Sequence, residues 1–352
     1  LVLFGGLFFY QQKTGRGFLS ANYGRIWGSK YSKKEPCNLA PTKREFNREP
    51  YYTGPLADAH MHLPTSSGIV SMVSKQMDLP TPAWNKNLSV DYLGCLLEAE
   101  NIQKTIGFHL LTKYSISGEV KVAKEMEKKY PGKMAHFLMP ATMSAWIKPD
   151  IKTLKSILDK NPGLFMGTGE IKIFDNSNLD DPYFIETYDL AKKYNLVVMM
   201  HPFSHHKPVV EKILKKYPDV KFLLHGGDDR EWIADLMKNY KNVYRSIDAD
   251  TTSLYGWERK HAQNRPNKEE FLDHFRKNFD TRLNNELSFW RDKIESHPDR
   301  FMWGTDRWHE WHFDQEVGGL LEEFGRSFIG EFAPEIQEKF AYKNAEEFLQ
   351  RK

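Results

Sequence analysis

The stretch Asp58-Ala-His60-Met-His62 ends the first predicted strand, and it is the starting point for the fold. Side chains alternate between the two faces of a strand, so His60 and His62 share one face, with Asp58 below them. Two imidazoles on one strand can bind a single metal ion from adjacent positions. A His-x-His pair alone is a weak signal, because core histidines are common. Its interpretation therefore depends on the rest of the chain.

Short apolar runs alternate with amphipathic helical patterns from residue 54 onward, which is typical of repeated βα units around a parallel sheet. The predicted strands cover residues 54–63, 104–111, 134–141, 164–173, 196–201, 221–226, 242–248 and 300–306. Eight strands with helices between them predict the α/β class and a (β/α)8 TIM barrel. Residues 64–89 and 251–297 are predicted to be long loops after strands 1 and 7, the second with one or two added helices.

Three other predicted strands end in side chains that can bind a metal or transfer a proton. His201 ends the fifth strand, His225 the sixth and Asp306 the eighth. In a (β/α)8 barrel the carboxyl ends of all strands meet at one face, where active sites are built. We therefore expect these three side chains to converge with His60 and His62.

The composition narrows the classes of protein and site. The chain has 352 residues, 40% of them hydrophobic, and a formal net charge of +3. This hydrophobic content excludes a disordered chain, and the near-neutral charge argues against nucleic acid as the main partner. Cys37 and Cys95 are too few for a disulfide framework or a thiolate zinc cluster, and we expect Cys95 to be an inert buried thiol. Any metal must be held by histidines and carboxylates.

Residues 1–53 precede the barrel domain, which is predicted to cover residues 54–352. Residues 1–10 are apolar and uncharged, and Lys13 and Arg16 follow. Ten residues are too few to span a bilayer, which needs about 20. Two interpretations remain open. A truncated signal or anchor segment predicts an exported or membrane-attached protein, and an apolar arm packed on the domain leaves a cytoplasmic protein.

These motifs resemble those of the amidohydrolase superfamily and, within it, the amidohydrolase-related family 2. The resemblance covers roughly residues 54–350. It rests on four site motifs, which are Asp58-Ala-His60-Met-His62, His201, His225-Gly-Gly and Gly304-Thr-Asp306. It also rests on a tail with the pair Asn344-Ala345, which is similar to this group's closing helix.

The resemblance implies one divalent metal ion held by His60, His62 and His201, with Asp306 completing the ligand set. Zn²⁺ is the first candidate and Mn²⁺ or another divalent ion the second, because neutral imidazole suits zinc and similar ions. The resemblance also implies that His225 stands beside the metal and polarises or anchors the substrate. A bound ion lowers the pKa of its water to about 7, and Asp306 can take that proton and pass it to a leaving group.

The fourth predicted strand leaves the metal count open. Glu170 and Lys172 share a face by alternation, and in the superfamily this strand can supply a bridging glutamate or a carboxylated lysine for a second metal. Mononuclear members use neither residue as a bridge. Glu170 as a metal ligand, Lys172 as a bridge, and an inner salt bridge or substrate contact all remain open, and we predict one ion.

The predicted function is metal-dependent hydrolysis of a small ester, lactone or amide. The alternative is a metal-dependent non-oxidative decarboxylase, a C–C lyase, which needs the same metal, Asp306 and His225. A non-catalytic binding barrel predicts loss of ligands, and none of the principal positions is missing. We expect a small-molecule substrate, and the oligomeric state stays open, a homo-oligomer included.

Three further residues are given structural interpretations. His109 and His136, on the second and third predicted strands, are expected to be core or rim histidines. Arg245, on the seventh, faces a substrate carboxylate in one register and points outward if the strand shifts by one residue.

Overall fold

A computed structural model of the chain describes residues 37–63, 89–142, 147–173, 178–226, 230–248, 268–307 and 310–350. Eight strands form one parallel sheet in the order of the sequence. They are β1 Leu56–His62, β2 Ile102–Leu111, β3 Met134–Pro140, β4 Phe165–Ile171, β5 Val197–Met200, β6 Phe222–Leu224, β7 Val243–Ile247 and β8 Phe301–Trp303. The predicted (β/α)8 barrel is confirmed, and each strand begins and ends within three residues of its prediction.

The barrel closes between β8 and β1 through the chain that follows β8. The Asp306 N–H donates a hydrogen bond to the His60 carbonyl at 2.8 Å, and the His62 N–H donates to the Arg307 carbonyl at 2.9 Å. Closure of the barrel therefore joins Asp306, a predicted site residue, directly to β1, which carries the predicted ligands His60 and His62.

Helices alternate with the strands and cover the outside of the barrel. They are α1 Val90–Ala99, α2 Ile116–Lys129, α3 Ile151–Lys160, α4 Pro182–Tyr194, α5 Lys207–Lys216, α6 Arg230–Asn239, α7 Lys268–Ser296, α8 Gln315–Gly330, α9 Pro334–Glu338 and α10 Asn344–Leu349. Side-chain caps fix several of their starts, as when Ser89 accepts from the Tyr92 N–H at 3.0 Å. The expected addition after β7 is the 29-residue α7. Residues 64–88 and 249–267 of the long loops lie outside the described residues.

Two hydrophobic layers hold the barrel together. The larger layer packs the helices on the outside of the sheet. A smaller cluster fills the barrel interior with side chains such as Ala59, Phe108 and Met199, and Phe348 of α10 closes it. The tail is fixed by Asn344, whose amide donates to the Phe301 carbonyl at 2.7 Å. Apolar side chains therefore fill the amino-end part of the interior, which leaves the polar side chains to its carboxyl end.

The segment before β1 is tied to the barrel at several points. Cys37 forms a disulfide with Cys95 of α1, so the prediction of a free buried thiol at Cys95 is wrong. The lead-in folds back over α1, which brings together two cysteines 58 positions apart. Further along, the carboxylate of Glu323 on α8 accepts from the backbone N–H groups of Glu45 and Phe46 at 2.6 and 2.8 Å.

The expectation of an exported or membrane-attached protein is corrected, because it finds no support in the structure. In the part of the chain that the structure describes, no helix is long and apolar enough to cross a bilayer. Residues 1–10, on which the expectation rested, lie outside that part.

Candidate metal centre

A bulge in β1 directs its histidines into the barrel. Between Asp58 and Met61 the strand advances three residues while β2 advances two, so β1 carries one extra residue. The strict alternation expected for this stretch is therefore broken. The His60 ring now packs edge-on against Phe108 of the inner cluster at 5.1 Å, whereas Met61 belongs to the outer layer. Bulges beside active sites commonly redirect a side chain in this way.

Four potential ligating atoms from three places in the chain are connected by three short spacings. Asp306 Oδ1 lies 3.4 Å from His60 Nε2 and 3.3 Å from His62 Nε2. Glu170 Oε2 lies 3.5 Å from His62 Nε2. A tetrahedral metal with bonds of about 2.1 Å holds its ligand atoms about 3.4 Å apart. These spacings therefore fit a divalent metal.

The hydrogen bonding of His60 gives a second test of that fit. Its side chain is completely buried, and neither ring nitrogen has a hydrogen-bond partner within the described residues. A buried polar atom without a partner costs about 1–3 kcal/mol. Nε2 is the atom directed at Asp306, so a metal there would satisfy it.

His201, the first residue after β5, lies on the other side of Glu170. Its Nδ1–H donates a hydrogen bond to Glu170 Oε1. Burial lowers the pKa of His201 to about 4, so the imidazole is neutral. Burial acts to raise the pKa of Glu170, but its interaction and hydrogen bond with His201 bring it well below its usual range. The contact therefore joins a neutral imidazole to a carboxylate.

The predicted ligands do not gather in a single group. Atoms close enough to hold a metal form three overlapping sets, namely His60, His62 and Glu170; Glu170, His201 and His225; and His60, His225 and Asp248. His201 therefore shares a set with Glu170 and His225 rather than with His60 and His62. His60, Glu170 and His225 each belong to two sets and so link all three, whereas Asp306 belongs to none of them.

Asp248, the first residue after β7, is a site residue that the sequence analysis missed. It accepts a hydrogen bond from His225 Nδ1–H, and Ser246 Oγ donates to its other oxygen at 2.6 Å. A Cβ added at Gly304 would collide with the Asp248 carboxylate, which explains the glycine before Thr-Asp306. Its position at a strand end, like that of Asp306, is the signal that could have identified it.

Asp306 and His225 form a buried acid–base pair at the centre of the site. His225 Nε2 lies 3.4 Å from Asp306 Oδ2. Burial acts to lower the pKa of His225, but the carboxylates of Asp248 and Asp306 raise it to about 10. Burial likewise opposes ionisation of Asp306, yet the charges of His60 and His225 hold its pKa well below the usual range. Asp306 adopts φ 50°, an uncommon conformation for a residue with a side chain.

Two other predicted residues have different positions. Lys172 lies just past β4, partly buried, and its charge acts to lower the pKa of both Glu170 and His201, so it borders the site. Arg245 is buried and donates a hydrogen bond to the Gly226 carbonyl. Its guanidinium lies 5.6 Å from the Trp290 ring on α7, which is the outward register.

Comparison with known proteins identifies the family. The family model described as amidohydrolase matches residues 175–351, which is half of the chain. A search of curated proteins gives no significant match. A probable 2-pyrone-4,6-dicarboxylic acid hydrolase from Acinetobacter baumannii is 11% identical with a TM-score of 0.53, over 84% of this chain and 98% of its own. That likeness shows the same fold.

A second solved structure is a 5-carboxyvanillate decarboxylase from Novosphingobium aromaticivorans, complexed with manganese. It is 11% identical with a TM-score of 0.47, over 88% of this chain and 98% of its own. The family match and the buried cluster of histidines and carboxylates together support a metal-dependent enzyme. The chain belongs to the amidohydrolase family.

Proposed function

We propose that this protein is a metal-dependent hydrolase of a small ester, lactone or amide. The observation that carries the proposal is the arrangement around Asp306, whose two oxygens face different partners. Oδ1 faces the imidazoles of His60 and His62, and Oδ2 faces His225. One carboxylate therefore lies between a candidate metal position and a candidate proton donor.

The proposed ligands are His60, His62, Glu170 and Asp306, so Glu170 takes the place that the sequence had given to His201. We propose one Zn²⁺, because imidazole and carboxylate ligands at this spacing suit that ion. A divalent ion held there would lower the pKa of a bound water to about 7. His201 orients Glu170 through the hydrogen bond to its second oxygen.

The remaining residues supply proton transfer and orientation. The carboxylate of Asp306 is the general base that accepts a proton from the attacking water and delivers it to the leaving group. His225 donates a hydrogen bond to the substrate carbonyl oxygen, where negative charge develops. Asp248 holds the Nδ1–H of His225, so that Nε2 points toward the reacting groups.

The experiment is a reconstitution assay on the purified full chain. Metal content is measured by mass spectrometry, the metal is removed with a chelator, and Zn²⁺ or Mn²⁺ is added back. Hydrolysis of a panel of nitrophenyl esters, lactones and amides is then followed by acid release. We expect about one ion per chain and activity that returns with the metal. If two ions per chain were measured instead, we would assign the second ion to Glu170, His201 and His225.

The same preparation tests the lyase alternative. Aromatic and unsaturated carboxylic acids are supplied, and released carbon dioxide is measured. Metal-dependent release of carbon dioxide without hydrolysis of any panel member would replace the hydrolase by a decarboxylase. Failure of the protein to bind any divalent ion would contradict both.

A further inference from the structure

A fully buried ion pair lies directly behind the candidate metal centre and is not part of it. Arg307, the residue after Asp306, contacts both carboxylate oxygens of Glu100 through Nη1, at 3.0 and 2.8 Å. Both side chains are 0% exposed. Burying two charges is costly unless they are paired, so a pair at this position calls for an explanation.

The chain around Arg307 is fixed to β1 by its backbone. The Thr305 N–H and hydroxyl both donate to Asp58, at 3.0 and 2.6 Å. The next residue, Asp306, donates to the His60 carbonyl, and the Arg307 carbonyl accepts from the His62 N–H. These contacts join the loop to the strand that carries the proposed ligands, and β1 is in turn paired with β2 as far as His62 and Phe108.

Glu100 supplies a further anchor for Arg307, and this anchor lies in the outer layer. It caps the carboxyl end of α1, and its N–H donates to the Leu96 carbonyl at 3.0 Å. That end of α1 is itself held by the lead-in, because the Thr42 N–H donates to the Ala99 carbonyl at 3.0 Å. On the other side α8 presents Gly318, where an added Cβ would collide with the Glu100 carboxylate. Glu100 is therefore confined from three directions.

The position of Asp306 shows what this anchor holds in place. Asp306 has a left-handed backbone, φ 50°, which is unfavourable for a residue with a side chain and persists only where the surroundings enforce it. Its neighbour Arg307 cannot lose its charge. Burial raises the pKa of Glu100 to about 7, although Arg307 acts to lower it, so the ion pair is fully formed above that pH.

We propose that Glu100 is a positioning residue of the metal centre, acting through its buried ion pair with Arg307 to hold Asp306 and the end of β1 in ligand geometry. This inference rests on the proposed function, since it assumes that Asp306, His60 and His62 bind a metal. Within the described residues Glu100 has no hydrogen bond or ion pair with a proposed metal ligand, so it acts through Arg307.

The test compares Zn²⁺ affinity, measured by competition with a chromophoric chelator, in the full-length wild type and Glu100→Gln. Removing a residue that hydrogen-bonds a metal ligand weakens affinity by about 10- to 100-fold. Because Glu100 acts one residue further out, through Arg307, we expect a loss near the lower end, about 5- to 10-fold. The absorption spectrum of the Co²⁺-substituted protein should change in the same variant, because that spectrum reports ligand geometry. Arg307→Lys keeps a charge but loses the guanidinium fork, so it should show a smaller loss.

Asp91→Asn is the matched control. Asp91 lies on the same helix and is paired with Lys129 at 2.8 Å, with both side chains under 10% exposed. Its removal should lower the thermal unfolding temperature and leave Zn²⁺ affinity within about twofold of wild type, since no ligand depends on it.

The outcomes separate the two proposals. A wild type that binds no divalent ion contradicts the proposed function. A wild type that binds Zn²⁺ beside a folded Glu100→Gln of equal affinity and equal Co²⁺ spectrum overturns the positioning role. If Glu100→Gln does not fold, Arg307→Lys carries the test. If neither folds while Asp91→Asn does, the pair is a stability element and the positioning role is also overturned.

Discussion

Two histidine clusters lie in this barrel, and they differ in how many carboxylates face them. The inner histidine cluster is at the carboxyl ends of the strands and consists of His60, His62, His201 and His225. The outer histidine cluster lies around β2, β3 and α2 and consists of His109, His136 and Glu119. His109 uses both ring nitrogens, one on Glu119 at 3.0 Å and one on His136 at 2.9 Å, whereas those of His60 have no hydrogen-bond partner within the described residues.

The difference shows that burial and residue type do not identify a metal site. His60 and His109 are both completely buried. Burial lowers the pKa of His109 to about 3, so it stays neutral beside Glu119. At His60 burial acts the same way, but Asp306 and Asp248 reverse the direction and raise the pKa. Converging carboxylates therefore mark the inner cluster as a place for a cation, whereas an unpartnered ring nitrogen does not distinguish it, because His136 Nε2 of the outer cluster also lacks a hydrogen-bond partner within the described residues.

The largest effect should come from removing one histidine of each cluster. His60→Ala deletes a proposed ligand, and turnover should fall by more than about 1,000-fold, because metal catalysis is worth several kcal/mol. Zn²⁺ content should fall with it. His136→Ala should leave both unchanged and lower the free energy of unfolding by about 1–3 kcal/mol, since it leaves His109 without one partner. Turnover assays, metal analysis and urea unfolding measure these effects.

The distinction between the two histidine clusters would be contradicted if His60→Ala and His136→Ala showed each other's expected effects. Full metal content in His60→Ala would remove this residue from the proposed ligand set. Loss of metal in a folded His136→Ala would mean that the outer histidine cluster supports the site, and the number of facing carboxylates would then fail as a criterion.

A smaller effect is expected when a carboxylate of the inner site is neutralised. Asp306→Asn should lower turnover by about 100- to 10,000-fold, the usual contribution of a general base. Zn²⁺ should be largely retained, because His60, His62 and Glu170 remain. Steady-state kinetics and metal analysis of the same preparation test this expectation. Turnover near the wild-type value would remove Asp306 from proton transfer, and an empty site would assign it mainly to metal binding.

Most of the fold could be predicted from local pattern. The strands follow apolar runs, and Asp150, for example, caps α3 by accepting from the Thr153 N–H at 2.7 Å, as sequence rules expect. The disulfide could not be predicted. Cys37 lies in a segment without periodicity, so its approach to Cys95 depends on tertiary contacts of the lead-in such as those of Glu323.

The structure brings the predicted site residues to one end of the barrel, but not in the predicted grouping. Alternation and strand ends identified His60, His62, His201, His225 and Asp306. The way these residues divide into ligand sets could not be predicted from alternation, because β1 and β4 each carry one extra residue relative to the neighbouring strand. These bulges lie at His60 and Glu170, where a shift of one residue decides which face a side chain occupies.

The smallest expected effect concerns pH and again separates the clusters. In the unfolded chain a histidine takes up a proton below about pH 6.5, whereas folded His109 does so only near pH 3. The unfolded state therefore binds more protons between these values, and the unfolding free energy falls as pH drops, by at most about 1.4 kcal/mol per pH unit for this group.

We expect a shallower fall in His109→Gln, measured by urea unfolding of metal-free protein from pH 7 to pH 4. Because wild type and variant share the inner histidines, the difference in slope isolates His109. Equal slopes would mean that folded His109 takes up its proton as readily as the unfolded residue does, and the outer cluster would then not be the neutral counterpart of the metal site.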